Sequence, residues 1–179
     1  MMLLLALFAC SKAVSSQGGP GALPVFNEPR QVSLSLVGYN YTNRYINEFS
    51  VGGEGGGNLY VSSPAGGGGG TVCCAKYWPG VKGYKVKVRW QTGACYYKVR
   101  ASDSHEVHQR LFPFFKEAEV EVDERATDRA RYMEVHFYPD GSVQVAATEH
   151  PSPPRLVLDR EREDKTRYPR CPNDDKPGQ

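Results

Sequence analysis

Residues 84–90, YKVKVRW, and residues 117–122, EAEVEV, alternate charged and apolar side chains with a period of two. That period belongs to an extended strand, whose successive side chains point to opposite faces. The charges are also sorted by sign. Between positions 76 and 100 there are seven basic residues and no acidic one, and between 117 and 124 five acidic residues and no basic one. Like charges crowded on one strand face repel each other. The pattern predicts that the two strands are neighbours, with Lys85, Lys87 and Arg89 facing Glu117, Glu119 and Glu121 across an outer surface. Exposed pairs of this kind add little stability each, but they select register and reject wrong partners. The competing reading is two separate charged surfaces that contact another protein.

Other stretches carry the same period. Residues 31–37, QVSLSLV, place Val32, Leu34 and Leu36 on one face, and residues 57–62 and 95–100 form further short candidates. Residues 131–147 contain Pro139-Asp140-Gly141-Ser142 between two alternating runs, a hairpin signal. Only 103–116, DSHEVHQRLFPFFK, suggests a helix, capped by Asp103 or Ser104 and ended at Pro113. The fold class is mainly β: an antiparallel sandwich or partly open barrel with at most one short helix. A length of 179 residues suits one domain, and a net charge of +2 gives no argument for nucleic acid.

The ends of the chain differ from its middle. Residues 2–9 are wholly apolar, the length of a signal-peptide core and too short to span a bilayer. They run into Leu7-Phe8-Ala9-Cys10, which has the form of a bacterial lipobox with Cys10 as the lipidated residue. The basic residues that should precede such a core are missing, so a start codon further upstream is expected. Ser11 is not the aspartate that retains lipoproteins at the inner membrane, which favours the periplasmic face of the outer membrane. The expected organisation is a signal peptide and lipobox at 1–10, a flexible tether at 11–30, a β domain at 31–150 and a charged tail at 151–179, partly pinned by Cys171.

Export implies an oxidising compartment in which disulfides persist. Cys73, Cys74, Cys95 and Cys171 allow three pairings. Bonding Cys73 to Cys74 closes a tight ring across one peptide bond and ranks last. On a strand the two side chains point apart, each towards Cys95 or Cys171, and which takes which stays open. Zinc sites space cysteines by two to four residues, so adjacent thiols do not suit a metal. The preceding glycines in 66–80, GGGGGTVCCAKYWPG, read as a flexible lead-in able to take positive φ or approach other backbone closely, and Trp78-Pro79-Gly80 as a turn.

No nucleophile elbow, phosphate loop or dinucleotide fingerprint is present, and neither catalytic residues, a metal nor a cofactor is expected. Residues 102–108, SDSHEVH, gather attractive residue types but read as a solvated polar turn; His136 reads as structural and 112–115, FPFF, as core. Residues 37–51, VGYNYTNRYINEFSV, read as strand, Asx-type turn and strand. Their composition also suits a protein interface. The expected partner-contact set is Tyr39, Asn40, Tyr41, Arg44 and Tyr45 with the glycine loop Gly55, Gly56, Gly57 and Asn58.

The series G-Y-N-x-T-x-R-Y-I at 38–46, F-S-V-G-G at 49–53, G-G-G-N at 55–58, G-G-G-x-x-C-C at 68–74, V-K-V-R-W at 86–90 and V-H-F-Y-P-D-G-S-V at 135–143 resembles a family of proteobacterial lipoproteins catalogued as a domain of unknown function. The resemblance covers about 32–150 in the expected order; the clipped signal and the long glycine run depart from it. Genes of that family often stand beside type VI secretion effectors, notably phospholipases. The resemblance therefore implies a periplasmic immunity protein that binds and neutralises a cognate lipase effector, without enzymatic activity. The alternative is an envelope structural or assembly lipoprotein with no toxin partner.

Overall fold

The structure, a computed structural model, describes residues 30–103, 106–156 and 158–178. The expected signal segment, lipidation at Cys10 and residues 11–29 of the expected tether lie outside them, as do Ser104 and His105. The described chain is mainly β. Its strands are β1 (Val32–Asn40), β2 (Ile46–Val51), β3 (Glu54–Leu59), β4 (Gly68–Tyr77), β5 (Lys85–Arg100), β6 (Val107–Glu124), β7 (Tyr132–Phe137) and β8 (Val143–Thr148), with only short 3-10 turns besides. They form one sheet in the order β3-β2-β5-β6-β8-β7-β1-β4, curled into a nearly closed barrel. The pairing is not purely antiparallel: β1 with β7 and β6 with β8 run parallel.

The two charged stretches are neighbours in the expected register. β5 pairs antiparallel with β6, setting Lys85 opposite Glu121, Lys87 opposite Glu119 and Arg89 opposite Glu117. One ion pair follows the register, Arg89 with Glu117 at 3.8 Å, and two run diagonally: Lys87 Nζ lies 2.9 Å from Glu117 Oε2, and Arg89 reaches Glu48 on β2 at 3.3 Å. A diagonal neighbour is within reach of a long side chain. The opposite faces of the same strands, with Val86, Val88, Trp90 and Val122, point into the barrel. There they meet Leu34 and Leu36 of β1, Phe49 of β2, Leu59 of β3, Tyr77 of β4 and Met133, Val135 and Phe137 of β7. One alternation thus supplies both the core and the outer charge ladder.

The helix expected over 103–116 is not formed: from Val107 onward that stretch is β6. Pairing with β5 along fifteen register positions outweighs a weak local helix preference, because the continuous ladder satisfies the backbone groups of 107–116 that face β5. Pro113 is accommodated because β6 pairs with β8 only at Val122–Glu124, which leaves Pro113 on a free edge. FPFF is consequently not core: Phe114 is 41% exposed.

The glycine run closes the barrel. β3 and β4 are the two ends of the strand order, and Tyr60 N–H donates to Gly68 C=O at 2.8 Å across the seam while Asn40 N–H donates to Gly67 C=O at 2.9 Å. Gly68 has φ +103°, and a Cβ there would lie 1.9 Å from the Tyr60 carbonyl oxygen. A Cβ on Gly67 would lie 2.7 Å from the Gly38 carbonyl oxygen. These are backbone clashes that no side-chain movement relieves. Gly70, in the same run, has open space.

The cysteines pair as Cys73–Cys74 and Cys95–Cys171. This corrects the expectation that Cys73 and Cys74 point apart. That expectation assumed a trans peptide; the bond between them is cis, which brings their Cα atoms to 3.1 Å and turns both side chains to the same side. Cys171 anchors the tail against β5, where Tyr96 N–H donates to Pro169 C=O and Cys171 N–H to Tyr96 C=O at 2.9 and 2.8 Å.

Gly68→Ala should cost about 2 kcal/mol or more in urea denaturation, whereas Gly70→Ala should stay within about 0.5 kcal/mol. Equal effects of the two substitutions would mean that the seam does not depend on Gly68.

Candidate functional site

Two regions gather polar and aromatic groups: the outer face of β1 and β7, and one mouth of the barrel. On β7, inward Met133, Val135 and Phe137 alternate with Glu134 and His136, which the pleat turns outward. Tyr39 on β1 and Tyr41 just beyond it project to the same side, and Tyr39 stacks on His136 with ring centres 4.4 Å apart. An outward face should be wet, yet Asn40, Tyr41, Glu134 and His136 have no exposed surface. The tail covers them.

Most polar atoms there are tied to a neighbour, the exceptions being Arg155 Nε and Nη2 and Arg162 Nε, which are buried without a partner among the described residues. Glu134 Oε2 meets His136 Nε2 at 3.2 Å, and His136 Nδ1 meets the Tyr41 hydroxyl at 3.1 Å. The Tyr41 hydroxyl also accepts from the Arg155 backbone N–H at 2.7 Å, and the Tyr39 hydroxyl donates to Ser152 C=O at 2.6 Å. Glu134 Oε1 accepts from Thr148 Oγ1 and from Ser152 N–H. Leu156 and Leu158 of the tail pack on Tyr39 and Tyr41. Further on, the Arg162 guanidinium donates to the carbonyls of Tyr41 (2.9 Å), Ser62 (3.0 Å), Asn40 (3.3 Å) and Thr42. It clips the tail to the β1–β2 turn. Asn40 shapes that turn by accepting from Thr42 N–H at 3.0 Å and donating to Arg44 C=O at 2.7 Å, an Asx-type turn.

Burial sets the electrostatics. It pushes His136 below its ordinary value and keeps the ring neutral. Burial opposes ionisation of Glu134, but hydrogen bonds from His136 and Ser152 outweigh it and hold the carboxyl below its usual range. Tyr39 is pushed up to about 12 by burial and by the Glu134 charge. Burial likewise lowers Arg162, whose charge is answered by carbonyl dipoles. As a carboxylate–imidazole–hydroxyl line, Glu134–His136–Tyr41 has the groups for proton transfer, but here it is occupied in holding the tail.

This corrects part of the expected contact set. Tyr39, Asn40 and Tyr41 are interior groups, and Gly56 is buried beneath the Phe49 ring, so none of the four offers a partner a surface. Arg44 is half-buried and held by Asp164, with its Nε 2.9 Å from Oδ2; hydrogen bonds from Thr166 and Arg44 bring Asp164 down to about 2. Gly55, Gly57 and Asn58 are exposed, Tyr45 is half-buried, and the rings of Tyr45 and Tyr60 lie 5.1 Å apart on the surface. His108 is exposed on β6, 3.6 Å from Glu106. Among the described residues no three His, Cys, Asp or Glu side chains come together to hold a metal ion.

The second region is a cavity of about 220 Å³ at the barrel mouth. Trp90 and Phe137 form its floor, and Tyr45, Tyr138 and Tyr168 its walls. Gln91 and Lys116 also line it. The sequence offered little signal for this site. Gln91 and Lys116 lie on strands whose charge ladder drew attention elsewhere, and Tyr168 comes from the tail.

The sign of the pH dependence follows from the buried pair. Below the ordinary histidine value of 6.5 the unfolded chain takes up a proton that folded His136 refuses, and below about 4.5 the unfolded chain likewise binds a proton that Glu134 resists. The melting temperature should therefore fall from pH 7.5 to pH 5, and His136→Gln should flatten that fall; parallel curves would refute the role of His136. Arg162→Ala should cost about 2–3 kcal/mol, with hydrogen-exchange protection lost over 151–164. Retained protection there would show that the clip is dispensable.

Residues 39–145 match the model of a family described as "Protein of unknown function (DUF3304)". No curated protein and no solved structure matches the chain. The matched span takes in the Asx-type turn, the barrel seam, the β5–β6 pair and the buried Glu134–His136 face, so more than half of the chain is accounted for, and the protein belongs to the DUF3304 family.

Proposed function

We propose that the protein is a periplasmic lipoprotein, anchored at Cys10 to the outer membrane, that binds and neutralises a cognate type VI secretion lipase. The observation that carries this reading is the aromatic mouth of the barrel. Tyr45, Tyr138 and Tyr168 gather around a concave opening on a nearly closed scaffold, with Tyr60 packed beside Tyr45, the kind of surface that anchors protein contacts. Two disulfides support an exported setting. The lipobox-like LFAC at 7–10 supports a tether, and tethering raises the local concentration of an inhibitor at the membrane under attack.

One observation favours the second reading, an envelope assembly subunit. Among the described residues the edge of β6 before Val122 has no strand beside it other than β5, and Val107, Leu111 and Phe114 on it are exposed. A free edge of that length is a template for another chain.

Cells that receive in the periplasm the effector encoded beside this gene should survive when the full chain is co-expressed, and Cys10→Ala should weaken protection. Equal killing with and without the chain would overturn the immunity reading. Co-purification of an envelope protein through β6 would then support the second.

A further inference from the structure

We propose that the Cys73–Cys74 disulfide is a reversible thiol-exchange site, opened by a dithiol that attacks Cys73 on the outer face of β4. The two disulfides of the chain are placed very differently. Cys95 and Cys171 are each 3% exposed and are bonded between β5 and the tail. Cys73 is exposed and Cys74 half-buried. β4 stands at one end of the strand order, and among the described residues its ladder runs to β1 alone, so its other flank carries no paired strand at Cys73. Exchange requires a thiolate to reach a sulfur. Cys73 offers that access in the folded chain, whereas the Cys95–Cys171 bond offers it only after the tail has opened.

The register explains why both sulfurs lie outside. Leu36 stands opposite Val72 and Leu34 opposite Ala75, so Cys73 and Cys74 share the one position that faces Ser35. Leu34, Leu36 and Ala75 belong to the core. Val72 and Ala75 are three residues apart, and on an unbroken strand they would point to opposite faces. One extra residue restores their phase, and the cysteine pair supplies it as a β-bulge turned away from the core. The bulge is imposed by the apolar residues on either side of it. Breaking the sulfur bond therefore leaves the ladder in register and the barrel folded.

The same placement selects the reductant. A thiolate attacks Cys73 Sγ, the Cys73–Cys74 bond breaks, and Cys74 leaves as a thiolate that takes up a proton. Cys74 remains beside the mixed disulfide on the same bulge. With a monothiol it attacks Cys73 Sγ in turn, expels the incoming thiol and closes the bond again, because a neighbouring group acts at high effective concentration. A dithiol escapes this return. Its second thiolate attacks its own sulfur in the mixed disulfide and releases Cys73 as a thiolate, which is protonated. The chain gains two electrons and two protons, and the dithiol becomes a disulfide. The inference needs only the chain's own sulfurs and stands whether or not the protein neutralises a lipase.

The test exposes the full chain, natively folded in detergent, to thioredoxin or to dithiothreitol. Free thiols are trapped with iodoacetamide and each cysteine is read by peptide mass spectrometry, with circular dichroism alongside. Cys73 and Cys74 should be alkylated about 10-fold or more faster than Cys95 and Cys171, with the strand signal unchanged. Excess glutathione should leave no adduct on the wild-type chain, whereas Cys74→Ser should retain glutathione at Cys73 when given oxidised glutathione. Faster reduction by thioredoxin than by dithiothreitol at equal concentration would assign the exchange to a protein dithiol, and slower reduction to a small one; either outcome supports the site. Reduction of both disulfides at one rate, loss of the strand signal together with the Cys73–Cys74 bond, or a glutathione adduct accumulating on the wild-type chain would overturn it. The comparison of the two disulfides uses wild-type protein alone, so it stands even if the variant fails to fold.

Discussion

The carboxylate of Glu134 is the constraint from which the outer architecture follows. It stands on the outside of a barrel, where an acidic side chain would ordinarily be hydrated, and yet has no exposed surface. Burying a charge is tolerable only when hydrogen bonds replace the lost water. His136 supplies one, Thr148 another and the backbone of Ser152 a third. Two of these donors come from the barrel, but the third comes from the tail. The tail is therefore part of the folded unit, and the barrel face it covers would be incomplete without it.

That dependence extends to the barrel mouth. Arg162 fastens the tail to the β1–β2 turn, Asp164 N–H then donates to Asn43 C=O at 2.6 Å, and Cys171 locks the chain to β5. Between these points the tail passes Tyr168 across the opening above Arg44. The cavity is thus walled on one side by a segment held through buried polar contacts and a disulfide. The two ends of that wall are fixed by different kinds of bond, hydrogen bonds at one and a disulfide at the other.

Much of the barrel is legible in the sequence. The sorting of charge sign between 76–100 and 117–124 specifies not only two strands but their adjacency and register, since a one-residue slip would send every charge inward. The Asp140-Gly141 turn likewise forms the β7–β8 hairpin, with Gly141 at φ +82°. What misled was local. DSHEVHQRLFPFF has caps and a breaker, but no alternation strong enough to outvote them, and its strand state rests on partners lying 7 to 24 residues away. The tyrosines of 39–45 looked like an interface by composition, and composition does not distinguish a ring that meets a partner protein from one that meets the chain's own tail.

The sequence by itself determined the class of fold, the alternating faces of β1, β5 and β6, the central β5–β6 pairing and the turns that glycine, asparagine and aspartate impose. All of these rest on the two-residue period of a strand or on residues a few positions apart. Only the tertiary structure decided which outward faces stay wet. Glu134 and Glu119 are both acidic, outward-facing residues on alternating strands, yet one is buried under the tail and the other lies in the open charge ladder. The cavity was decided at the same level, because its floor and walls come from segments brought together by barrel closure and by the returning chain. Periodicity records which way a side chain points; what lies there is set by contacts between residues from 14 to 121 positions apart.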